Sequence, residues 1–334
     1  MISGLGVQLI RTIEITITEA YNHRKPPVDE AAGMERGKEA GKMKLLRWGP
    51  KGQEKPGALD REGRIRDLSN LVWDITPVVL EPESLAQLQA TKLEILPLVP
   101  DPVRLGVPLA AVGKFLGVGL NYADHSKDSQ GQRPSEPVIF TKAISCLNGP
   151  NDDIMLPRHA QKPDWEVELG VVIGRTVRYV ETSEALAHIC GYVLINDVSD
   201  RGFQNASGQW DKGKGCDTFG PVGPYLVTAD EVADPQNLNL WLELNGEIMQ
   251  RGNTRDMIFS IAALISNISS YITLNPGDVI ATGTPRGVGA DQKPEPRFLK
   301  LGDELTLGID GLGTQRQKVV AWSPNGPQAR EMGL

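Results

Sequence analysis

Glu166 and Glu168 stand two residues apart in Trp165-Glu166-Val167-Glu168-Leu169. In a β-strand this spacing puts both carboxylates on one face and Trp165, Val167 and Leu169 on the other. A solvated edge strand can show the same pattern. Here, though, the segment runs into Gly170-Val171-Val172-Ile173, apolar on both faces and so expected centrally in a sheet. Two unpaired carboxylates are costly there unless a cation neutralises them. Asp197, at the end of the similarly apolar GYVLIND, is a third candidate. Three carboxylates with no adjacent His or Cys suit a hard cation, Mg2+ or Mn2+ with Ca2+ as a further option, and disfavour zinc.

Two further groups could move a proton or hold charge. His125 follows GVGLNYAD, where an apolar strand gives way to a polar stretch. At helical spacing Asp128 shares its face and can orient the imidazole, making either a base with its partner or a solvated helix start. His23, His159 and His188 have no such neighbours and read as structural or surface residues. Lys214 lies in GQWDKGKGCDTFGPVGP, one letter short of a phosphate-binding loop, with Gly215 where Ser or Thr should stand. Pro221 and Pro224 forbid the helix such a loop needs, and GVGLNY lacks the third glycine of a dinucleotide fingerprint. With Gln204 and Trp210 nearby, the Lys214 segment reads as a mobile flap over a site or as a plain surface loop.

The elements that must position these groups are mostly short, β-branched segments separated by Gly and Pro: KFLGVGLNY, EPVIFTK, WEVELGVVIGR, GYVLINDVS, YLVTAD, LNLWLELNGEIMQ, DVIATGTP and DELTLGIDGLGTQRQKVVAW. Asn245-Gly246 and Asp310-Gly311, each between alternating apolar residues, predict hairpins. The core from residue 109 onward is therefore expected to be mainly β. One helix is predicted over DMIFSIAALISNISSYI, where Met257, Ile258, Ile261, Leu264, Ile265, Ile268 and Ile272 recur at helical spacing. Residues 43–108 carry a short strand pattern, a helix candidate EPESLAQLQATKL and a Pro-rich stretch, which reads as a small N-terminal module with a linker. Residues 1–42 lack an apolar period and read as a disordered leader or tag, with Met43 a natural start; residues 109–334 are the expected catalytic domain.

Composition narrows the possible partners. The 334 residues are 40% hydrophobic and 23% charged, enough for one large domain with appendages. The 35 Lys and Arg against 42 Asp and Glu leave a net charge of -7, the wrong sign for binding nucleic acid through its phosphates. The three cysteines, Cys146, Cys190 and Cys216, form no CxxC pair, which excludes a disulfide scaffold and suits a reducing compartment. No run approaches roughly 18 apolar residues, and Glu14 and Glu19 interrupt any signal-peptide pattern. The expectation is a cytoplasmic protein with a small-molecule substrate and no nucleic-acid or membrane partner.

Taken in order, GLNYADH at 119–125, EPVIFTK at 136–142, WEVELGVVIG at 165–174, NDVSDR at 196–201, KGCDTFGPVGP at 214–224, LNG at 244–246 and TGTPRGVG at 282–289 resemble the fumarylacetoacetate hydrolase superfamily across roughly residues 109–322. The resemblance implies a mainly β (α+β) fold, a β-sandwich roll of stacked sheets with a small N-terminal module, usually dimeric. It implies Glu166, Glu168 and Asp197 as Mg2+ or Mn2+ ligands, His125 as base, Asp128 as its partner and Lys214 as a cationic stabiliser. It also puts Tyr122, Lys142, Arg201, Gln204 and Thr284 at positions that line the substrate pocket in relatives. Two departures stand out: the acid after the histidine is usually Glu, one methylene longer than Asp128, and the family's Arg-Asp is here Arg201-Gly202.

KLLRWGPKGQEKPGALD, NGPNDDI and LGIDGLGTQRQ look most like a bacterial subgroup that hydrolyses 2,4-diketo-3-deoxy-L-fuconate or L-rhamnonate to pyruvate and lactate, often labelled ureidoglycolate lyase. The residue types suit that chemistry. A metal chelated by a 2-oxo acid can hold the enolate released when the C3–C4 bond breaks. The alternatives are ureidoglycolate cleavage, decarboxylation of an oxaloacetate-like acid and, against the retained acids and lysine, a non-catalytic β-rich interaction protein.

Overall fold

The computed structural model describes residues 42–123, 134–324 and 326. The leader expected at 1–42 falls, but for residue 42, outside them, and so do His125 and Asp128. Val167–Ile173 and Ile189–Asn196, the two segments apolar on both faces, pair antiparallel and are buried along their whole length. They are central strands because a run of Val, Leu and Ile on both faces needs cover on both faces. From them the larger sheet extends outward in the order Ile65–Asp67, Lys55–Leu59, Lys44–Trp48, Leu226–Thr228, Ile189–Asn196, Val167–Ile173, Val279–Ala281, Phe115–Gly119, Val138–Lys142, with Leu105–Gly106 also pairing to Lys44–Trp48. The strands of 43–108 thus continue the main sheet through the pairing of Lys44 with Val227 and Leu45 with Leu226.

A second sheet packs over the two central strands. Its order is Glu247–Asn253, Asn239–Leu244, Glu304–Ile309, Gly313–Val320, Ile154–Met155. Both predicted hairpins form here. Asn245 and Gly246 turn at φ 54° and 80°, the left-handed pair that a two-residue hairpin of right-handed twist requires. Asp310 to Leu312 close the other turn, with Gly311 at φ 78°. Leu240, Leu242, Leu244, Leu305 and Leu307 point into the core between the sheets, and each contributes about 1.5–3 kcal/mol by leaving water.

The predicted helix is present but shorter, Ile261–Ser269. Ser260 caps it, its hydroxyl accepting the Ala263 N–H at 3.3 Å. Met257 and Ile258 do not join because Asn121 captures this stretch first. The Ile258 N–H donates to the Asn121 carbonyl at 2.7 Å and the Phe259 N–H to Asn121 Oδ1 at 2.8 Å, while Met257 bridges Tyr122. In the N-terminal part the helix Pro82–Gln89 falls where the sequence predicts one, with Pro82 in its first turn. Among the described residues no helix is long and apolar enough to cross a membrane.

Candidate functional site

The three acids converge because of strand register. Glu168 pairs with Ile195 and Val167 with Asn196, so one step further along the same ladder Glu166 faces Asp197. Directly opposed residues of an antiparallel pair lie on one face, which gathers Glu166, Glu168 and Asp197. All three are buried, and each offers an oxygen within 4.8 Å of the others. The Asp197 N–H donates to the Glu166 carbonyl at 2.9 Å, fixing the end of the ladder.

Three cations answer the acids unequally. Lys214 Nζ donates to Glu166 Oε2 at 2.5 Å and to Asp197 Oδ2 at 2.6 Å. Arg201 spreads its guanidinium over three partners: Glu166 Oε1 at 2.5 Å, Asp164 Oδ2 at 2.9 Å and Gln204 Oε1 at 3.1 Å. Lys142 Nζ lies 2.6 Å from Asp197 Oδ1 and donates to the Lys214 and Val198 carbonyls. Glu168 has no ion-pair partner among the described residues; the Gly283 N–H donates to its Oε2 at 2.8 Å. Burial, then the Asp197 and Glu166 carboxylates, push the Glu168 pKa well above the ordinary range. Burial works against charge on Lys214, but Asp197 and Glu166 outweigh it and raise its pKa.

These observations test whether a divalent cation fits. A buried carboxylate without an ion pair is expensive, and among the described residues Glu168 is one. Asp197 Oδ1 is buried without an aligned hydrogen bond, despite the nearby ammonium. An all-oxygen set of three carboxylates is what Mg2+ and Mn2+ take. The residues fit the ion.

The loops are fixed around this face. Asp200 caps the short helix Arg201–Asn205 by accepting the Phe203 N–H at 2.9 Å, which aims Arg201 and Gln204 inward. Asp164 accepts the N–H groups of Gly289 at 2.6 Å and Ala290 at 3.0 Å while holding Arg201. Lys214 ends the helix Asp211–Lys214, which Asp211 ties to the Thr141 hydroxyl at 2.8 Å, and Trp210 packs against Phe140 with the rings tilted 55° at 5.4 Å between centroids. Sequence alone leaves a surface loop open for this segment; instead Lys214 is fully buried on the acids.

Of the residues expected to line a pocket, Arg201 and Gln204 stand beside Glu166, and Lys142 lies beneath Asp197 with its side chain completely enclosed. The Thr284 hydroxyl donates to the Val167 carbonyl at 2.9 Å and accepts from Gln250 at 2.8 Å, so it braces the strand. Tyr122 is buried, at the end of the described chain before residue 124. Sequence reading missed Asp164, Asn196, Gln250 and Gln317. Gln250 carries no period-two signal, because its strand does not alternate in burial: Glu247 and Ile248 are both exposed while Gln250 is buried.

A two-sheet β fold with a buried carboxylate triad beside two lysines defines the class, and the comparisons agree. Residues 114–320 match the family described as fumarylacetoacetate (FAA) hydrolase C-terminal. The chain belongs to the fumarylacetoacetate hydrolase family. It is 54% identical over 281 residues to the 2,4-didehydro-3-deoxy-L-rhamnonate hydrolase of Sphingomonas sp. strain SKA58, covering 84% of this chain and 97% of that one. Among solved structures, the fumarylacetoacetate hydrolase of psychrophilic Exiguobacterium antarcticum is 35% identical with a TM-score of 0.73, covering 84% of this chain and all of that one. The maleylpyruvate hydrolase of Sphingobium sp. SYK-6, in complex with manganese(II) ion and pyruvate, is 30% identical with a TM-score of 0.71, covering 84% of this chain and all of the other.

Proposed function

We propose that this chain is a Mg2+- or Mn2+-dependent hydrolase that cleaves the C3–C4 bond of a 2,4-dioxo sugar acid of the 3-deoxy-L-rhamnonate or L-fuconate skeleton, releasing pyruvate and lactate. The observation that carries the reading is Glu168, a buried acid without an ion-pair partner among the described residues, beside Glu166 and Asp197. The 54% identical relative named for the rhamnonate compound supports the skeleton, and the manganese and pyruvate in the maleylpyruvate hydrolase structure support the ion and the product.

In this reading Glu166, Glu168 and Asp197 would hold the ion, which would supply Lewis-acid chemistry at the 2-oxo acid head of the substrate. His125, oriented by Asp128, takes a proton from the water that attacks the C4 carbonyl. Lys214 keeps a positive charge on the acid face, where it stabilises the oxyanion formed by that attack. Arg201 holds Glu166 in place by the fork that also grips Asp164. Lys142 fixes Asp197 and the backbone of residue 214 together, so the acid and the ammonium keep their separation. A homodimer in the cytoplasm completes the proposal.

The test is pyruvate release from a synthetic 2,4-dioxo acid with Mg2+ or Mn2+, beside ureidoglycolate and oxaloacetate, each with and without EDTA. Metal-dependent pyruvate from the dioxo acid alone is the expected result. Turnover of ureidoglycolate or oxaloacetate alone would overturn the assignment of His125 to water activation while keeping the metal reading.

A further inference from the structure

Val167 sits between the two glutamates, on an edge where its strand has run past its neighbour. Val279–Ala281 pairs only with Gly170 to Val172, so nothing from the sheet meets the backbone of residue 167 on that side. Side chains take the place of a strand. The Val167 N–H donates to Gln250 Oε1 at 3.0 Å, and the Val167 carbonyl accepts the Thr284 hydroxyl at 2.9 Å. Gln250 Nε2 donates both its hydrogens, to Thr284 Oγ1 at 2.8 Å and to the Pro285 carbonyl at 2.8 Å. The orientation of this amide has one solution, because Val167 N–H can only donate and the Pro285 carbonyl can only accept. Gln250 is fully buried and comes from the second sheet, in the strand Glu247–Asn253.

The same loop that Gln250 grips at Thr284 and Pro285 carries the Gly283 N–H that donates to Glu168. One amide therefore ties the residue between the acids to the loop that meets the second acid.

We propose that Gln250 is a positioning residue for the cation centre: it sets the placement of Glu166 and Glu168 against the 283–285 loop, and with it the affinity of the site for a divalent ion. The proposal rests on the metal reading above. It goes beyond that reading by assigning ion affinity to a residue in the other sheet that touches none of the three acids' oxygens. Groups that orient metal ligands typically change affinity 10- to 100-fold when lost.

The test is Mn2+ titration of the purified chain, followed by calorimetry and by the electron paramagnetic resonance signal of free and bound Mn2+, on the parent, Gln250→Met and Thr254→Val. Met keeps the length of Gln without its hydrogen bonds. Thr254 is buried immediately after the same strand, and its hydroxyl bonds Pro235 and Leu238, away from the acids. Both variants are expected to lower the thermal midpoint in EDTA. Only Gln250→Met is expected to weaken Mn2+, by about tenfold or more, and to alter the bound Mn2+ spectrum. If Gln250→Met fails to fold, Thr284→Val cuts the same chain of bonds at its other end, with the same loss of affinity expected. A Gln250→Met protein, or a Thr284→Val protein in its place, that is less stable yet binds Mn2+ like the parent would overturn the proposal and make this a packing contact. A parent that binds no Mn2+ would overturn the metal reading itself, and this inference with it.

Discussion

The backbone N–H of Gly283 donates to Glu168 Oε2 at 2.8 Å, and it is the neighbour that the structure gives an acid its two companions repel. Glu166 and Asp197 share Lys214 and have a second cation each. Among the described residues the cluster thus has direct ion pairs at Glu166 and Asp197 and none at Glu168, and the side of Glu168 is where an added cation gains most.

Replacing Glu168 with Gln removes the ionisable carboxyl while keeping an acceptor for Gly283. The thermal midpoint in EDTA is expected to stay the same or rise, because the carboxyl sits where burial and its two acidic companions disfavour its charged form. On the metal reading proposed above, Mn2+ affinity is expected to fall by about 100-fold or more, since one of the three proposed ligand carboxylates is gone. Calorimetric titration beside a melting curve reads both. A variant less stable in EDTA that still binds Mn2+ would contradict this account.

Gly283 has φ 100°, and a Cβ there would stand 2.8 Å from that of Asn121. Gly283→Ala is therefore strained in backbone and in space, at a cost of about 1–3 kcal/mol. The displaced N–H leaves Glu168, so Mn2+ binding should weaken together with stability. Thermal melts with and without Mn2+ check it: the ion should protect the variant less than it protects the parent.

Arg201→Lys keeps the charge and loses the fork. One ammonium cannot meet Asp164, Glu166 and Gln204 in the directions a planar guanidinium does. A drop in kcat/KM of about 10- to 100-fold is expected, measured on the 2,4-dioxo acid at saturating metal. Parent-like kinetics would reduce Arg201 to a bulk counter-charge.

Acid sensitivity should arise far from the site, at Asp60. Burial pushes its carboxyl up, but the Arg64 N–H and the Arg66 and Arg64 guanidiniums outweigh it and hold the pKa at about 2. An acid with a depressed pKa stabilises the fold above its unfolded value, about 3.9, and loses that contribution as pH falls toward the folded one. Asp60→Asn should therefore lower the thermal midpoint at pH 7, and the gap to the parent should close as pH drops from about 5 to about 2. A gap independent of pH would assign the loss to packing.

The strands and the acids were the legible part. Period-two alternation put Glu166 and Glu168 on one face, and the apolar GYVLIND placed Asp197 at the end of the neighbouring strand, because both signals live within a few residues. The predicted helix is five residues too long at its start, since Asn121 claims Ile258 and Phe259 from 137 and 138 positions away and leaves no trace in the local period. The glycine-rich setting of Lys214 leaves both a flap over a site and a surface loop open, and long-range charge decides it by burying the ammonium on the acids. Gln250, Asn196 and Gln317 were invisible for the same reason: an amide has no chemistry of its own to flag, and its partners are distant in sequence.

The acid face draws its support from parts of the chain made much later. Asn196, which accepts the Glu166 N–H, is itself held by Gln317, 121 residues further on, and Val167 waits for Gln250, 83 residues further on. Docking of the second sheet is what braces the acid face, so its geometry is set by strands that lie well after Glu166 and Glu168 in the sequence.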